Sequence, residues 1–142
     1  MKISTKGRYA LRMMVDLAAV PGERFVALKE IAERQQISKK YLEQIVPLLV
    51  KAGLLHASRG FQGGYRLVKE PAQYTVGEIL RVTEGNLAPI ACLESEKNTC
   101  PRADGCQVLP IWEGLYRTIS EYLEGITLQD ILDRGGEKSL CI

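Results

Sequence analysis

Histidine is almost missing from the chain, which has only His56. One imidazole excludes histidine-rich metal sites, and no nucleophile stands at a readable spacing from it, so nucleophilic catalysis lacks its usual base. There is no Gly-rich phosphate loop at a strand-to-helix turn, no Cys-x-x-Cys knuckle, no internal repeat and no low-complexity tract. An enzyme is therefore not expected. No window approaches the ~18 uninterrupted apolar residues of a membrane span. The opening Met1-Lys2-Ile3-Ser4-Thr5-Lys6-Gly7-Arg8 also lacks the apolar stretch of a secretory signal. A cytoplasmic protein with no membrane partner is expected. Thiols stay reduced in that compartment, so the four cysteines point to metal ligands or redox thiols rather than structural disulfides.

What is present is enough for a packed core. Of 142 residues, 46% are hydrophobic and 25% charged, which suits one compact domain with an appendage. The net charge of +2 hides a division. Residues 1–70 carry 13 Lys and Arg against 6 Asp and Glu, or +7, whereas residues 71–142 carry 6 against 11, or −5. The first half suits a polyanion that the second half would repel.

Helical spacing of Tyr9, Ala10, Met13, Met14 and Leu17 predicts a first helix, capped by Thr5 and stopped by Pro21-Gly22. A second is expected over Leu28–Gln35. A third, capped by Ser38, should run from Lys39 to Ala52, with Leu42, Ile45, Leu49 and Ala52 buried and a bend or early weakening at Pro47. Two short extended runs, Leu54–Ser58 and Gly64–Val68, flank Arg59-Gly60-Phe61-Gln62-Gly63 and read as a β-hairpin. A capping box at Thr75 and Glu78 starts a short helix to Val82. After an aperiodic stretch, Val108, Ile111, Trp112, Leu115, Tyr116, Ile119, Tyr122 and Leu123 mark one face of a helix of about sixteen residues. That face is too apolar to stand alone and should pack on the N-terminal helix or on a second subunit. Thr127 and Asp130 cap a last short helix to Leu132.

The second and third helices match a helix-turn-helix. Ala32 allows close approach, Ile37 plugs the turn, and Leu42 and Ile45 fasten the second helix of the pair. Gln36 stands where glycine is common, so it must tolerate a left-handed backbone. Lys39, Lys40, Glu43 and Gln44 then face a nucleic-acid groove. Glu43 suits this role only as an acceptor from a cytosine amino group, because phosphates repel it. The hairpin adds a wing in which Arg59 can enter a narrow minor groove or pair with phosphate, with Gly60 allowing close approach.

Cys92-x7-Cys100-x5-Cys106 places three thiols in the aperiodic stretch. Thiolates favour iron-sulfur clusters, zinc and copper(I), and spacing alone leaves these open alongside a redox disulfide or free thiols.

Lys6-Gly7-Arg8-Tyr9-Ala10, Ile37-Ser38, Tyr41-Leu42-Glu43-Gln44, Ala52-Gly53-Leu54, Arg59-Gly60, Gly63-Gly64-Tyr65 and Val76-Gly77-Glu78-Ile79 together resemble the Rrf-two family of winged-helix repressors. The likeness covers nearly the whole chain. It implies a mainly α fold with a small β-hairpin, and a homodimer joined through a long C-terminal helix that binds a partly palindromic double-stranded DNA operator. Residues 1–84 would form the winged helix-turn-helix, 85–107 a cysteine-containing sensor loop, and 108–142 the dimerisation helix, short helix and tail. By the same likeness Glu43 and Gln44 read bases and Arg59 serves the wing. Lys6, Arg8 and Tyr41 hold the DNA backbone beside Ser38, Lys39, Lys40 and Gly60. The family's cluster-binding branch implies an iron-sulfur cluster on Cys92, Cys100 and Cys106, with 2Fe-2S favoured and 4Fe-4S possible. That branch supplies a histidine where this chain has Leu109, so the fourth ligand is unknown. Cluster binding would order the loop and change DNA affinity. The terminal Ile142 resembles tails that dock in cysteine synthase, which makes that enzyme an alternative partner and a cysteine-metabolism repressor or cluster-free thiol sensor the alternative function.

Overall fold

The computed structural model describes residues 2–135. They form six helices and one hairpin: α1 (Thr5–Ala18), α2 (Leu28–Gln35), α3 (Lys39–Lys51), β1 (Leu55–Ser58), β2 (Gly64–Leu67), α4 (Val76–Glu84), α5 (Leu109–Glu124) and α6 (Leu128–Gly135). The cap of α1 is Ser4 and not Thr5. Ser4 has extended backbone, and its hydroxyl accepts from the Gly7 amide at 3.0 Å. Thr5 is already helical and instead accepts from Arg8 Nη2.

Helix α3 runs through Pro47 without early termination. The carbonyl that Pro47 leaves without an amide belongs to exposed Glu43, where water can serve it, while Leu42, Ile45, Val46 and Leu49 hold both halves of the helix in the core. Val46 takes the buried place expected of Ala52, which is the exposed C-cap. Helix α4 continues two residues beyond the expected end. Thr75 Oγ1 accepts from the Glu78 amide, but the Glu78 carboxylate turns to Lys69 Nζ at 2.9 Å, so only half of the capping box forms. At α6 the reciprocal box is complete between Thr127 and Asp130, and the helix extends to Gly135.

Helix α1 is the central element, packed against α2, α3, α4, α6 and β2. Ala10, Met13, Met14 and Leu17 meet Ile31, Leu42, Ile45, Leu49, Ile79 and Leu128 in the main core. Leu128 ties α6 back to this head, and its amide bonds the Tyr74 carbonyl. A second cluster joins Val76, Leu80, Leu87 and Ile126.

The hairpin is antiparallel, with Leu55 opposite Leu67 and Ser58 opposite Gly64. Its turn-side end is held by a two-way bridge to the α1–α2 connection. The Val26 amide bonds Tyr65 O at 2.8 Å and the Tyr65 amide bonds Val26 O at 2.9 Å. Gly64 is required there, because its φ is +153° and an added Cβ would lie 2.1 Å from Val26 O.

Tyr74, absent from the sequence argument, is fully buried where the wing leaves the head. Its hydroxyl donates to Leu54 O at 2.7 Å and accepts from the Val68 amide at 2.8 Å. Tyr74→Phe leaves both backbone groups without that partner. It is expected to lower the urea-unfolding free energy by about 1–3 kcal/mol, and an unchanged midpoint would show that water replaces the hydroxyl.

Candidate nucleic-acid interface and thiol loop

The turn between α2 and α3 is built as the residue types require. Ile31, Ile37, Leu42 and Ile45 are buried, and Gln36 adopts the left-handed conformation, with φ +54° and ψ +45°. The Gln36 side chain answers its own turn by donating to Glu33 O at 2.8 Å. Ser38 caps α3 by accepting from the Tyr41 amide at 3.3 Å. Lys39, Lys40, Glu43 and Gln44 are all exposed on the face opposite the buried residues.

Helix α1 supports this surface from behind. Tyr41 is half-buried, its ring edge-on to Tyr9 with centroids 5.4 Å apart, and the Arg12 guanidinium covers the Tyr9 ring. Arg12 also bonds the side chain and carbonyl of Gln35. The deepest anchor is Asp16, whose carboxylate is 5% exposed. It receives Arg34 Nη2 at 2.6 Å, Arg34 Nε at 3.1 Å and Gln35 Nε2 at 3.0 Å. Hydrogen bonding to Asp16 raises the Arg34 pKa further above its ordinary value, and Arg24 and Arg34 together lower that of Glu30. Asp16 sits within the apolar stripe of α1, beside Met13, Met14 and Leu17. A lone carboxylate on a buried face is the signal by which sequence reading could have found this network.

Lys6 is half-buried and Arg8 exposed near the start of α1, while Arg59 and Gly60 are exposed on the wing. His56 lies on β1, exposed, opposite Arg66.

The thiol loop is irregular apart from two short 3-10 turns, Ala91–Leu93 and Ala103–Gly105. Cys92 lies in the first turn and Cys106 caps the second, while Cys100 has its amide on Asn98 Oδ1 at 2.9 Å. All three are free and half-buried. Partial loss of water raises the Cys92 thiol pKa, with Cys100 and, more weakly, Cys106 adding to the effect. Among the described residues no group of three or more His, Cys, Asp or Glu side chains stands in metal-binding geometry. The donor chemistry nonetheless fits a thiophilic group, because three free, half-buried thiols share one loop. Leu109 is the first residue of α5, so no donor side chain stands at that point.

The apolar face of α5 is uncovered. Val108 is 50%, Ile111 63%, Trp112 37%, Leu115 41% and Tyr122 64% exposed. Of the two partners expected for this face, the N-terminal helix does not bury it. The described helices include none long and apolar enough to cross a membrane. Cys141 and Ile142 lie outside the described residues.

A turn-linked helix pair with exposed cations at the second helix, followed by a pinned hairpin, defines a winged-helix DNA-binding head. The family model described as "Iron-dependent Transcriptional regulator", Rrf2, matches residues 3–134, and the chain belongs to that family. The HTH-type transcriptional regulator CymR of Bacillus subtilis (strain 168) is 41% identical over 131 residues, covering 92% of this chain and 89% of CymR. The solved CymR structure, named as that of the global cysteine regulator, superposes with a TM-score of 0.77 over 94% of this chain and 97% of CymR. The structure of T. potens IscR gives 0.75 at 42% identity, covering 100% of this chain and 93% of that one. IscR of Aliivibrio salmonicida is 38% identical over 132 residues, 93% of this chain and 77% of its own length. The protein is a DNA-binding transcriptional regulator; its relatives are regulators and not enzymes, as the residue pattern predicted.

The left-handed Gln36 gives a direct test of the turn. Gln36→Gly removes the Cβ strain and should raise the unfolding free energy by about 0.5–1 kcal/mol. A fall would show that the bond from Gln36 to Glu33 outweighs the strain.

Proposed function

We propose that the protein is a homodimeric repressor of a specific operator whose DNA affinity is set by an iron-sulfur cluster held by Cys92, Cys100 and Cys106. A 2Fe-2S cluster is preferred and 4Fe-4S is compatible with the same thiols. The observation that carries this reading is the presence of three free, half-buried thiols in one loop between the head and α5. The family's iron-dependent description and the IscR relatives support it. Residues 1–84 serve as the reading head, 85–107 as the sensor loop and 108–142 as the segment holding the dimerisation helix. The exposed apolar face of α5 supports dimerisation, because an amphipathic face of that length is covered in a stable protein.

At the head, Gln44 and Glu43 read base edges from α3. Lys39, Lys40, Lys6 and Arg8 meet phosphates, with Ser38 and Tyr41 holding them in register, and Arg59 and Gly60 carry the wing to the flanking groove. When bound, the cluster supplies thiolate cross-linking of the loop. The chain's part is mechanical: Leu87 fixes the loop's beginning in the second core cluster, and Glu84 accepts hydrogen bonds from the amide and hydroxyl of Ser4, the cap of α1. A tenfold difference in DNA affinity between two loop states requires only about 1.4 kcal/mol of coupling.

The likeness to a global cysteine regulator favours a second reading, a cysteine-metabolism repressor governed by cysteine synthase through Ile142. Iron and sulfide content separates the two. Protein purified anaerobically from iron-replete cells is expected to carry both, and the triple variant Cys92→Ala, Cys100→Ala, Cys106→Ala to carry neither. Colourless, iron-free wild-type protein would overturn the cluster reading. For the head, Gln44→Ala should cost about 1–3 kcal/mol of discrimination between operator and random duplex, whereas Arg59→Ala should weaken binding to both. Equal losses on both duplexes for Gln44→Ala would remove it from base reading.

A further inference from the structure

A phenyl ring fully in water gains nothing for folding, and Phe61 at the wing tip is 101% exposed, with none of the described residues packed against it. Most of the other exposed large apolar side chains among the described residues lie on the α5 face, so Phe61 stands apart from that surface. Its turn is defined by two backbone features. Gly60, with φ +105°, and the bond from the Gly63 amide to Gly60 O at 3.0 Å close a tight turn that projects residue 61 outward. The β1–β2 register and the Val26–Tyr65 bridge fix that turn to the head. From Ser58 to Tyr65 the tip has no acidic side chain, and exposed Arg59 is two residues away. A guanidinium and a bare ring are thus offered together to a polyanion.

We propose that Phe61 is a minor-groove wedge. It enters the groove beside the one engaged by α3 and leans between base pairs at a step that Arg59 anchors through phosphate. The proposal rests on the DNA-binding role of the head. The ring carries no hydrogen-bonding group, so phosphate contact would leave it idle, whereas apolar side chains part base steps in the minor groove and bend the duplex. Such a wedge favours steps that unstack readily, TA and CA/TG, and selects sequence at positions that no hydrogen bond reads. The operator's flanks would then matter as much as the bases below α3.

The test uses the full-length protein and the duplex it enriches from a randomised library. Phe61→Ala should keep the wild-type melting temperature, bind that duplex about tenfold more weakly, and lose the preference for TA over G·C at the flank. Phe61→Leu, which keeps an apolar wedge, should recover part of the affinity. With 2-aminopurine at the flanking step, wild-type binding should raise the fluorescence and Phe61→Ala should not. Equal affinity and flank preference in wild type and Phe61→Ala, or a flat 2-aminopurine signal, would overturn the wedge. Unchanged DNA affinity with reduced self-association would mark the ring as a protein contact and overturn it equally. If wild-type protein enriches no sequence, the reading head fails and takes the wedge with it.

Discussion

The buried carboxylate of Asp16 is the constraint on which the head depends. Its burial is costly unless every oxygen is served, and the partners that serve it come from one place, Arg34 and Gln35 in the last turn of α2. That requirement sets how far α2 can slide along α1. It also fixes where the chain must reverse, and the reversal falls on Gln36, which accepts a left-handed backbone. Ser38 caps α3 two residues later, so the direction of the recognition helix follows from a carboxylate on the opposite side of the turn. The Arg12–Tyr9–Tyr41 stack continues the same support to the first turn of α3.

The wing is oriented by a different device. Its two strands are short, and a lone two-stranded hairpin is marginal in water. The Val26–Tyr65 bridge adds a third strand position, and the Tyr74 hydroxyl joins Leu54 at the start of β1 to Val68 just after β2. Backbone groups at both ends of the hairpin are thereby satisfied inside the head. The tip can remain glycine-rich and still point in one direction.

Local rules made much of this readable. The bounds of α2, the wing strands to within one residue at their outer ends (Leu55 for Leu54, Leu67 for Val68) and the sixteen-residue length of α5 follow from apolar spacing and turn residues. The first cap was misplaced by one residue because Ser4 and Thr5 are chemically equivalent as caps, and the contact of Ser4 with Glu84, eighty residues on, cannot be seen locally. Val46 replaced Ala52 in the core since helix α3 faces neighbours on two sides, α1 and α4, which widens its buried stripe. Tyr74 was illegible, because the backbone partners that make its burial tolerable lie on other elements, and Asp16 shows in the sequence only as a lone carboxylate in an apolar stripe, its partners being on α2. At the candidate surface, exposure of Lys39, Lys40, Glu43 and Gln44 followed from helix geometry, whereas the arrangement of three cysteines in an aperiodic loop has no period to read.

The thiol loop matters because of what its ends are attached to. At one end Leu87 is buried against Val76, Leu80 and Ile126, and Glu84 just before it holds the cap of α1. At the other end Cys106 is followed within three residues by the first turn of α5, whose apolar face is uncovered. Helix α5 returns to the head in its C-terminal half, through Leu123, the pairing of Glu124 with Arg81 and the bond from Thr75 Oγ1 to Glu124. The N-terminal part of α5 is therefore positioned by the loop, while its C-terminal part is positioned by the head. In the proposed switch, drawing the thiols together would shorten the loop and pull the start of α5 relative to a fixed end. The movement would alter the tilt of the helix whose exposed face is proposed to join two copies. In a two-fold assembly a small tilt changes the separation of two heads that must fit successive turns of one duplex. In the proposed switch, chemistry at sulfur would thus be converted into a distance between two heads on one duplex.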